Sequence, residues 1–299
     1  MQDVIIVRYG EIGIKSPAVR RLFEKILISN IGICLRKNNM KYDKIEQSMG
    51  RVYVFSKNTK ALEKIRNVFG IVSISPSRMI ETDIELIKKD ALACYKSAKK
   101  KSFRITANRL TKDFNLNSQK ICEIVGEYVQ EKTGAKVNLS KPDININVEI
   151  NGKNAFVFYE TIRGFGGLPI GTQGKVLCII SDEKSSIAAL EMLRRGCTTH
   201  LLFVGNKKLI DKSMKLLNKY YIYREPLLYS NIENDDLVFN NATKLAASFG
   251  AIALCSGEIH IENIRKLPKQ DLLLIFPLIG FDKSELTELA NSFGIKLKQ

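Results

Sequence analysis

Lys175-Val176-Leu177-Cys178-Ile179-Ile180-Ser181-Asp182-Glu183-Lys184-Ser185-Ser186 is the stretch that decides the fold. Five consecutive apolar residues make a strand buried on both faces, and the polar run after them leads into a helix that ends at Arg194-Arg195-Gly196. The alternation then repeats. Further apolar strands are expected over 201–204, 251–255 and 272–276, with helices at about 208–218, 236–248 and 283–292. Short apolar strands separated by helices predict a mostly parallel sheet covered on both faces, a Rossmann-like α/β unit over 175–299.

Upstream of Lys175 the pattern changes. Residues 4–8 read as a buried strand, and 17–37 as a helix with Leu22, Ile26, Leu27 and Ile31 on one face. Strands over 41–47 and 51–55 join through Gly50, a helix covers 61–68, and a strand over 71–75 is closed by Pro76. That β-α-β-β-α-β order predicts a ferredoxin-like domain over 1–76. A second unit, 77–167, starts with a helix over 83–96 and a strand over 103–107. Asn117-Ser118 opens a periodic helix carrying Ile121, Ile124, Val125, Tyr128 and Val129 and stopping at Gly134. Alternating strands over 145–150 and 155–159 turn at Asn151-Gly152. Gly164-Phe165-Gly166-Gly167-Leu168-Pro169 reads as a flexible connector.

Charge is uneven along the 299 residues, which carry a net +16. Residues 1–174 hold 30 Lys and Arg against 17 Asp and Glu, whereas residues 175–299 hold 17 against 14. A polyanion partner is therefore expected at the front half. No apolar run approaches the roughly 18 to 20 residues of a membrane span, so a cytoplasmic protein with no membrane partner is expected. Cys34, Cys94, Cys122, Cys178, Cys197 and Cys255 are scattered, and His200 and His260 are the only histidines. That pattern offers no zinc spacing and no histidine triad, so no metal site is expected among these residues.

The chemistry-bearing residues fall in two places. Arg104, Asn108, Arg109 and Lys112, with the run Lys99-Lys100-Lys101, set guanidinium, amide and ammonium donors along one strand and its exit loop. Phosphate contacts use such donors and bind without reading sequence. Phe114 either stacks on a base or packs in the core.

The stretch Phe103-Arg104, Asn108-Arg109, Lys112, Phe114, Thr133-Gly134-Ala135-Lys136-Val137 and Pro142-Asp143 resembles a THUMP domain, an RNA-binding module. Val7-Arg8-Tyr9-Gly10-Glu11-Ile12-Gly13-Ile14-Lys15 and Val68-Phe69-Gly70-Ile71 resemble the ferredoxin-like domain of the tRNA 4-thiouridine synthetases, also called thiamine-biosynthesis sulfurtransferases. The resemblance implies that the first two domains grip the acceptor end of tRNA. It implies a third, PP-loop ATP-pyrophosphatase domain that adenylates uridine 8 with ATP and Mg, after which a persulfide displaces AMP. A sulfur donor protein and a homodimer are implied partners.

The family's phosphate loop reads Ser-Gly-Gly-x-Asp-Ser, and Ser181-Asp182-Glu183-Lys184-Ser185-Ser186 stands in its place. Two carboxylates at 182 and 183 are expected to crowd the pocket and repel a polyphosphate. The family's acceptor cysteine falls on Asn234, and its following arginine pair on Asp235-Asp236. The resulting expectation is a tRNA-binding protein with impaired or lost ATP-dependent catalysis. The alternatives are an active sulfurtransferase with an unusual phosphate loop, linked also to thiamine thiazole sulfur transfer, and a small-molecule α/β enzyme.

Overall fold

The computed structural model describes residues 2–220, 228–230, 235–264 and 271–297. The front of the chain forms β1 (Gln2–Arg8), a 3-10 turn (Glu11–Ile14), α1 (Pro17–Lys37), β2 (Lys44–Ser48), β3 (Arg51–Phe55), α2 (Ala61–Ile65) and β4 (Ser73–Glu81). Next come α3 (Ile84–Ala98), β5 (Ser102–Arg109), α4 (Ser118–Thr133), β6 (Lys136–Val137), β7 (Ile144–Asn151), β8 (Asn154–Phe158) and β9 (Ile162–Arg163). The remainder forms β10 (Lys175–Ile180), α5 (Glu183–Arg194), β11 (Thr198–Val204), α6 (Lys207–Leu217) and β12 (Leu228–Ser230). It ends with α7 (Asp235–Ser248), β13 (Ala253–Cys255), α8 (Ile261–Ile264), β14 (Leu273–Ile275) and α9 (Lys283–Ser292). The chain gathers into two compact units. One comprises Met1–Tyr9, Asn38–Arg66 and Val72–Gly164, the other Gly10–Lys37, Asn67–Ile71 and Phe165–Gln299.

The first unit is built on one sheet in the order β2-β3-β1-β4-β8-β7-β5-β6, with β9 added against β4. Its first four strands follow the ferredoxin-like order, and β4 then pairs antiparallel with β8 from Arg78 opposite Val157 to Glu81 opposite Asn154. Strand parity on β7 decides which side chains meet the core. Ile144, Ile146, Val148 and Ile150 enter it with Ile121, Val125 and Val129 of α4, while Asn145, Asn147, Glu149 and Asn151 take the opposite face. The helix α4 starts because Asn117 accepts the Lys120 amide and stops because Gly134 adopts φ +68°.

Two expectations about this region are corrected. Pro76 lies inside β4, opposite Ile5 of β1, and does not close the strand. On the other side of β4, β9 stops at Ile74 and β8 begins at Arg78, so no ladder there asks residue 76 for an N–H. The glycine-rich connector, read as flexible, is tied down within the second unit. Gly70 N–H donates to the Gly166 carbonyl, Gly166 N–H to Ile71, and Leu168 N–H to Arg194. Phe165 stacks on Phe293 at 5.2 Å and meets Tyr220 edge-on. The glycines serve close approach there: Gly167 has φ +75°, and a Cβ on it would overlap the Arg194 carbonyl oxygen.

The second unit holds the expected parallel sheet, in the order β12-β11-β10-β13-β14. The first strand of the set, β10, sits in the middle, so the order reverses between β10 and β13. Crevices at such a reversal, beyond the carboxyl ends of the strands, are where this architecture takes ligands. Leu177 and Ile179 of β10 pack with Leu202, Leu254 and the α7 residues Val238, Phe239, Ala242 and Ala246. The helix α5 lies against β10 and β11.

Replacing Gly167 with Ala should destabilise the fold by about 2 kcal/mol or more, since left-handed strain adds to a backbone overlap. Gly152→Ala, at φ +60° in open space, should cost only about 1 kcal/mol. Urea melts of the two variants check this, and equal midpoints would contradict the close-approach account.

Candidate nucleic-acid face and nucleotide cleft

In the first unit, the even-numbered residues of β5 share the open sheet face with the odd-numbered residues of β7. Arg104 Nε donates to Asn145 Oδ1 at 3.3 Å and its Nη1 to the Leu139 carbonyl at 3.0 Å. Thr106 donates to the same Asn145 oxygen at 2.8 Å, and the Asn145 amide donates onward to Asn147 Oδ1 at 3.3 Å. Asn108 is exposed next along β5, in register with Glu149. The Glu149 side chain is 5% exposed and accepts from Arg51, whose Nε–H is shared between the two carboxylate oxygens at 3.3 Å each and whose Nη2 donates to Oε2 at 3.2 Å, with Arg8 at 4.0 Å. Two guanidiniums therefore face one carboxylate, and with Arg104 the face keeps a surplus of positive charge.

The other sequence-chosen donors are placed around this row. Lys99, Lys100 and Lys101 are exposed at the start of β5, where Lys99 ends α3 in a left-handed conformation with φ 50°. Lys112 is exposed in the loop after β5. Arg109 does not join them. Its odd position turns it to the helix-covered face, where Nη1 donates to the carbonyls of Phe114 and Leu116 at 3.0 and 2.9 Å, clasping that loop. Phe114 packs on the core. Asn145, Asn147, Arg8 and Arg51 were not singled out from sequence, yet the Ile-Asn-Ile-Asn-Val-Glu-Ile-Asn alternation of β7 carried the signal. The row is anchored at its edge by Asp143, which accepts the Ser102 hydroxyl at 2.8 Å and the Ser102 amide at 2.9 Å. Those bonds, the hydroxyl first, hold the Asp143 carboxyl below its ordinary value of 3.8.

In the second unit a cleft of about 210 Å³ opens beyond the ends of β10 and β13. Ser181, Asp182 and Lys184 line one side, Ser256, Gly257 and Glu258 another, and Ile179, Val204, Val238 and Phe239 form an apolar wall. The turn into α5 is closed on itself. The Asp182 carboxylate accepts the Ser185 amide at 2.7 Å, and Ser185 Oγ accepts the amides of Ser181 and Asp182, each at 2.9 Å. Ser185 and Ser186 hydroxyls both donate to the Asp182 carbonyl, at 2.8 and 3.1 Å. This reciprocal cap commits three amides that a phosphate-binding turn would present, and sets a carboxylate where an anion would sit.

Glu183, expected beside Asp182 in the pocket, turns away from it. One step along the helix rotates its side chain toward α6, where Lys212 Nζ meets its Oε1 at 2.5 Å. Glu258 stays in the cleft. Burial opposes its ionisation, but the amides of His260 and Ile259 and the Asn263 side chain outweigh that and hold its carboxyl below the ordinary range. Among the described residues, the charged groups that line the cleft are thus Asp182 and Glu258 against Lys184. Gly257 packs against the turn so closely that a Cβ would overlap the Ser185 backbone.

No described cysteine lines this cleft. Cys178 and Cys255 stand opposite each other on β10 and β13, both buried. The contact with Cys255 and then burial push the Cys178 thiol well up, and burial raises that of Cys197. Thiols that resist ionisation are poor nucleophiles. Asn234 lies outside the described residues, as do the side chains of Asp235 and Asp236. Among the described residues no cluster of His, Cys, Asp or Glu is arranged to hold a metal ion, and no helix is long and apolar enough to cross a membrane.

Three family profiles match in order: the ThiI ferredoxin-like domain over residues 4–75, the THUMP domain over 81–160, and thiamine biosynthesis protein (ThiI) over 171–227. A probable tRNA sulfurtransferase of Thermococcus kodakarensis is 36% identical, over 98% of this chain and 88% of that protein. Another, of Methanobrevibacter smithii, is 32% identical over 98% and 86%. Both alignments, of 338 and 337 positions, are longer than this chain, so these relatives contain residues with no counterpart here. A solved protein of Pyrococcus horikoshii superposes with a TM-score of 0.86 at 33% identity, over 98% of this chain and all of that one. A 4-thiouridine synthetase solved with RNA and bound ATP has the same fold, with a TM-score of 0.83 at 24% identity over 98% and 85%.

Because the folded-state carboxyl of Asp143 titrates low, its stabilising contact is complete above the ordinary carboxylate pKa of about 4. The contact is lost as pH falls through the depressed folded value. Asp143→Asn should therefore flatten the acid limb of melting temperature against pH below about pH 4. Superimposable acid limbs would remove Asp143 from that role.

Proposed function

The chain belongs to the tRNA sulfurtransferase family, and from that premise we propose that it binds tRNA while its cleft no longer takes ATP. In this reading residues 1–76 and 77–167 are the ferredoxin-like and THUMP domains that hold the acceptor end, and 175–299 is a degenerate PP-loop domain. A cytoplasmic setting fits that work. The single observation behind the loss is the cap at the start of α5. A triphosphate needs free amides at a helix N-terminus. Here the amides of Ser181, Asp182 and Ser185 are taken by the turn itself.

Magnitudes favour the cap. A carboxylate about 4 Å from a phosphate charge costs on the order of 4 kcal/mol at an effective dielectric near 20, before screening. A helix N-terminus returns only about 0.3 to 1 kcal/mol to a bound anion. Opening the cap would cost about 1 kcal/mol more. The phosphates of ATP do not fit this turn, and Mg²⁺, which such sites bind largely through substrate phosphates, loses its main ligands with them. The buried thiols supply no substitute for the family cysteine.

The tRNA side rests on the placement of charge. Of the net +16, +13 falls within residues 1–174, and the open face of the first unit presents Arg104 and Asn108 in a preorganised polar row. A second reading, an active sulfurtransferase with an unusual loop and a role in thiamine thiazole formation, draws on Lys184 in the cleft. A sulfur donor protein and a homodimer belong to that reading.

Filter binding should give micromolar or tighter tRNA affinity that falls steeply with salt. Arg104→Ala and Lys112→Ala should each weaken it severalfold, whereas Arg109→Ala should mainly lower the melting temperature by releasing its loop. Unchanged affinity in the first two would move the site elsewhere.

Isothermal titration with ATP and Mg²⁺ should show no saturable heat. Incubation with a sulfur donor, ATP and unmodified tRNA should give no 4-thiouridine absorbance in the near ultraviolet. Micromolar ATP binding with product formation would establish the second reading instead.

A further inference from the structure

Next to the cleft, but facing away from it, a groove of about 350 Å³ runs between α6, the first turn of α5 and residues Gly294–Lys296 beyond α9. Leu216 and Ile295 supply its apolar floor, and Lys212, Lys215, Lys219 and Lys296 its rim. Lys208, Lys212 and Lys215 repeat at helical spacing along α6, and Lys219 continues the line just past the C-cap Asn218. All four are exposed, and eleven residues at 1.5 Å each make the line roughly 16 Å long. Lys212 is answered by Glu183. Lys208, Lys215, Lys219 and Lys296 form no ion pair among the described residues, and Asp211 is the one acid on α6.

We infer that this basic line is a second contact for the phosphate backbone of RNA, on the α/β unit and separate from the cleft. The inference rests on the tRNA-binding reading above and extends it to another surface. A membrane surface fits poorly, because such helices expose an apolar face, whereas Ile210 and Leu217 of α6 are buried. An RNA strand meets both properties of the groove: its phosphates pair with spaced ammonium groups, and its ribose carbons cover the half-buried Leu216. Glu183 turns away from the cleft to line this groove. It neutralises Lys212 and leaves the outer lysines to the ligand.

The test uses the full chain and a transfer RNA transcript, with affinity measured by fluorescence anisotropy between about 50 and 200 mM salt. The variant K208A/K215A/K219A should bind about tenfold more weakly at the low end, with the slope of log K against log salt shallower by about two. Its melting temperature should match that of the parent, and K208R/K215R/K219R should restore both affinity and slope. If the parent and the Arg104→Ala variant behave as described above while the triple alanine variant keeps full affinity and slope, this inference alone is overturned. If the parent binds no tRNA, the reading beneath it falls too. A polyglutamate chain that competes for the groove as well as RNA of equal charge would overturn the assignment to RNA.

Discussion

The reciprocal hydrogen bonds between Asp182 and Ser185 are the constraint on which the proposed loss of ATP binding depends. They begin α5, set its axis against β10 and β11, and fix the turn that borders the cleft. A helix start has amides without intrahelical partners, and they are satisfied either by the chain or by a ligand. Here the chain has done so with one carboxylate and one hydroxyl. The arrangement is cheap, local and present in the absence of any ligand, so a phosphate must displace a contact already in place. Gly257 sharpens the competition. Its backbone is packed against Lys184 and Ser185, so the turn has no room to retreat toward β13 and reopen.

Internal satisfaction of polar groups has the opposite consequence on the open face of the first unit. Arg104 is held by Asn145 and the Leu139 carbonyl, which together engage only two of its five N–H donors. A guanidinium held in one orientation loses less freedom when an anion arrives. Glu149 acts likewise on Arg51 and Arg8: one buried carboxylate fixes two cations and leaves one charge over. At the cleft, capping removes the donors themselves. On this face, the same kind of bonding positions donors that remain.

Much of this was legible in sequence where a single residue type dictates a local geometry. Asn117 and Gly134 bracket α4 because a cap and a left-handed stop have few chemical solutions. The alternation of β7 announced its two faces. Pro76 misled because a missing N–H ends a strand only if a neighbour requires it, and neighbours are set by pairings distant in sequence. The glycines at 166 and 167 misled for a related reason. Positive φ and close approach need glycine just as flexibility does, and only the Arg194 carbonyl tells them apart. Short elements such as β9, β12 and α8 span too few residues for any period to register. Arg109 and Glu183 show a third limit: composition names the charge, but parity and helical phase decide which side it serves.

Charge averaging hides direction as well. Residues 175–299 look nearly neutral because 14 acids offset 17 bases, yet the two signs are not evenly spread. Asp182 and Glu258 sit at the cleft, while the outer lysines of α6 stand on another face with Asp211 as the one acid on that helix. A fold can lose affinity for a small polyanion and keep attraction for a large one when the carboxylates lie at one site and the amines line another. The physical distinction is range and shape. A triphosphate must enter within hydrogen-bond distance of the α5 turn, where it meets the Asp182 carboxylate at close range. A nucleic-acid backbone spans many ångströms of surface, samples the summed potential of spaced lysines, and is indifferent to a buried cap it never touches.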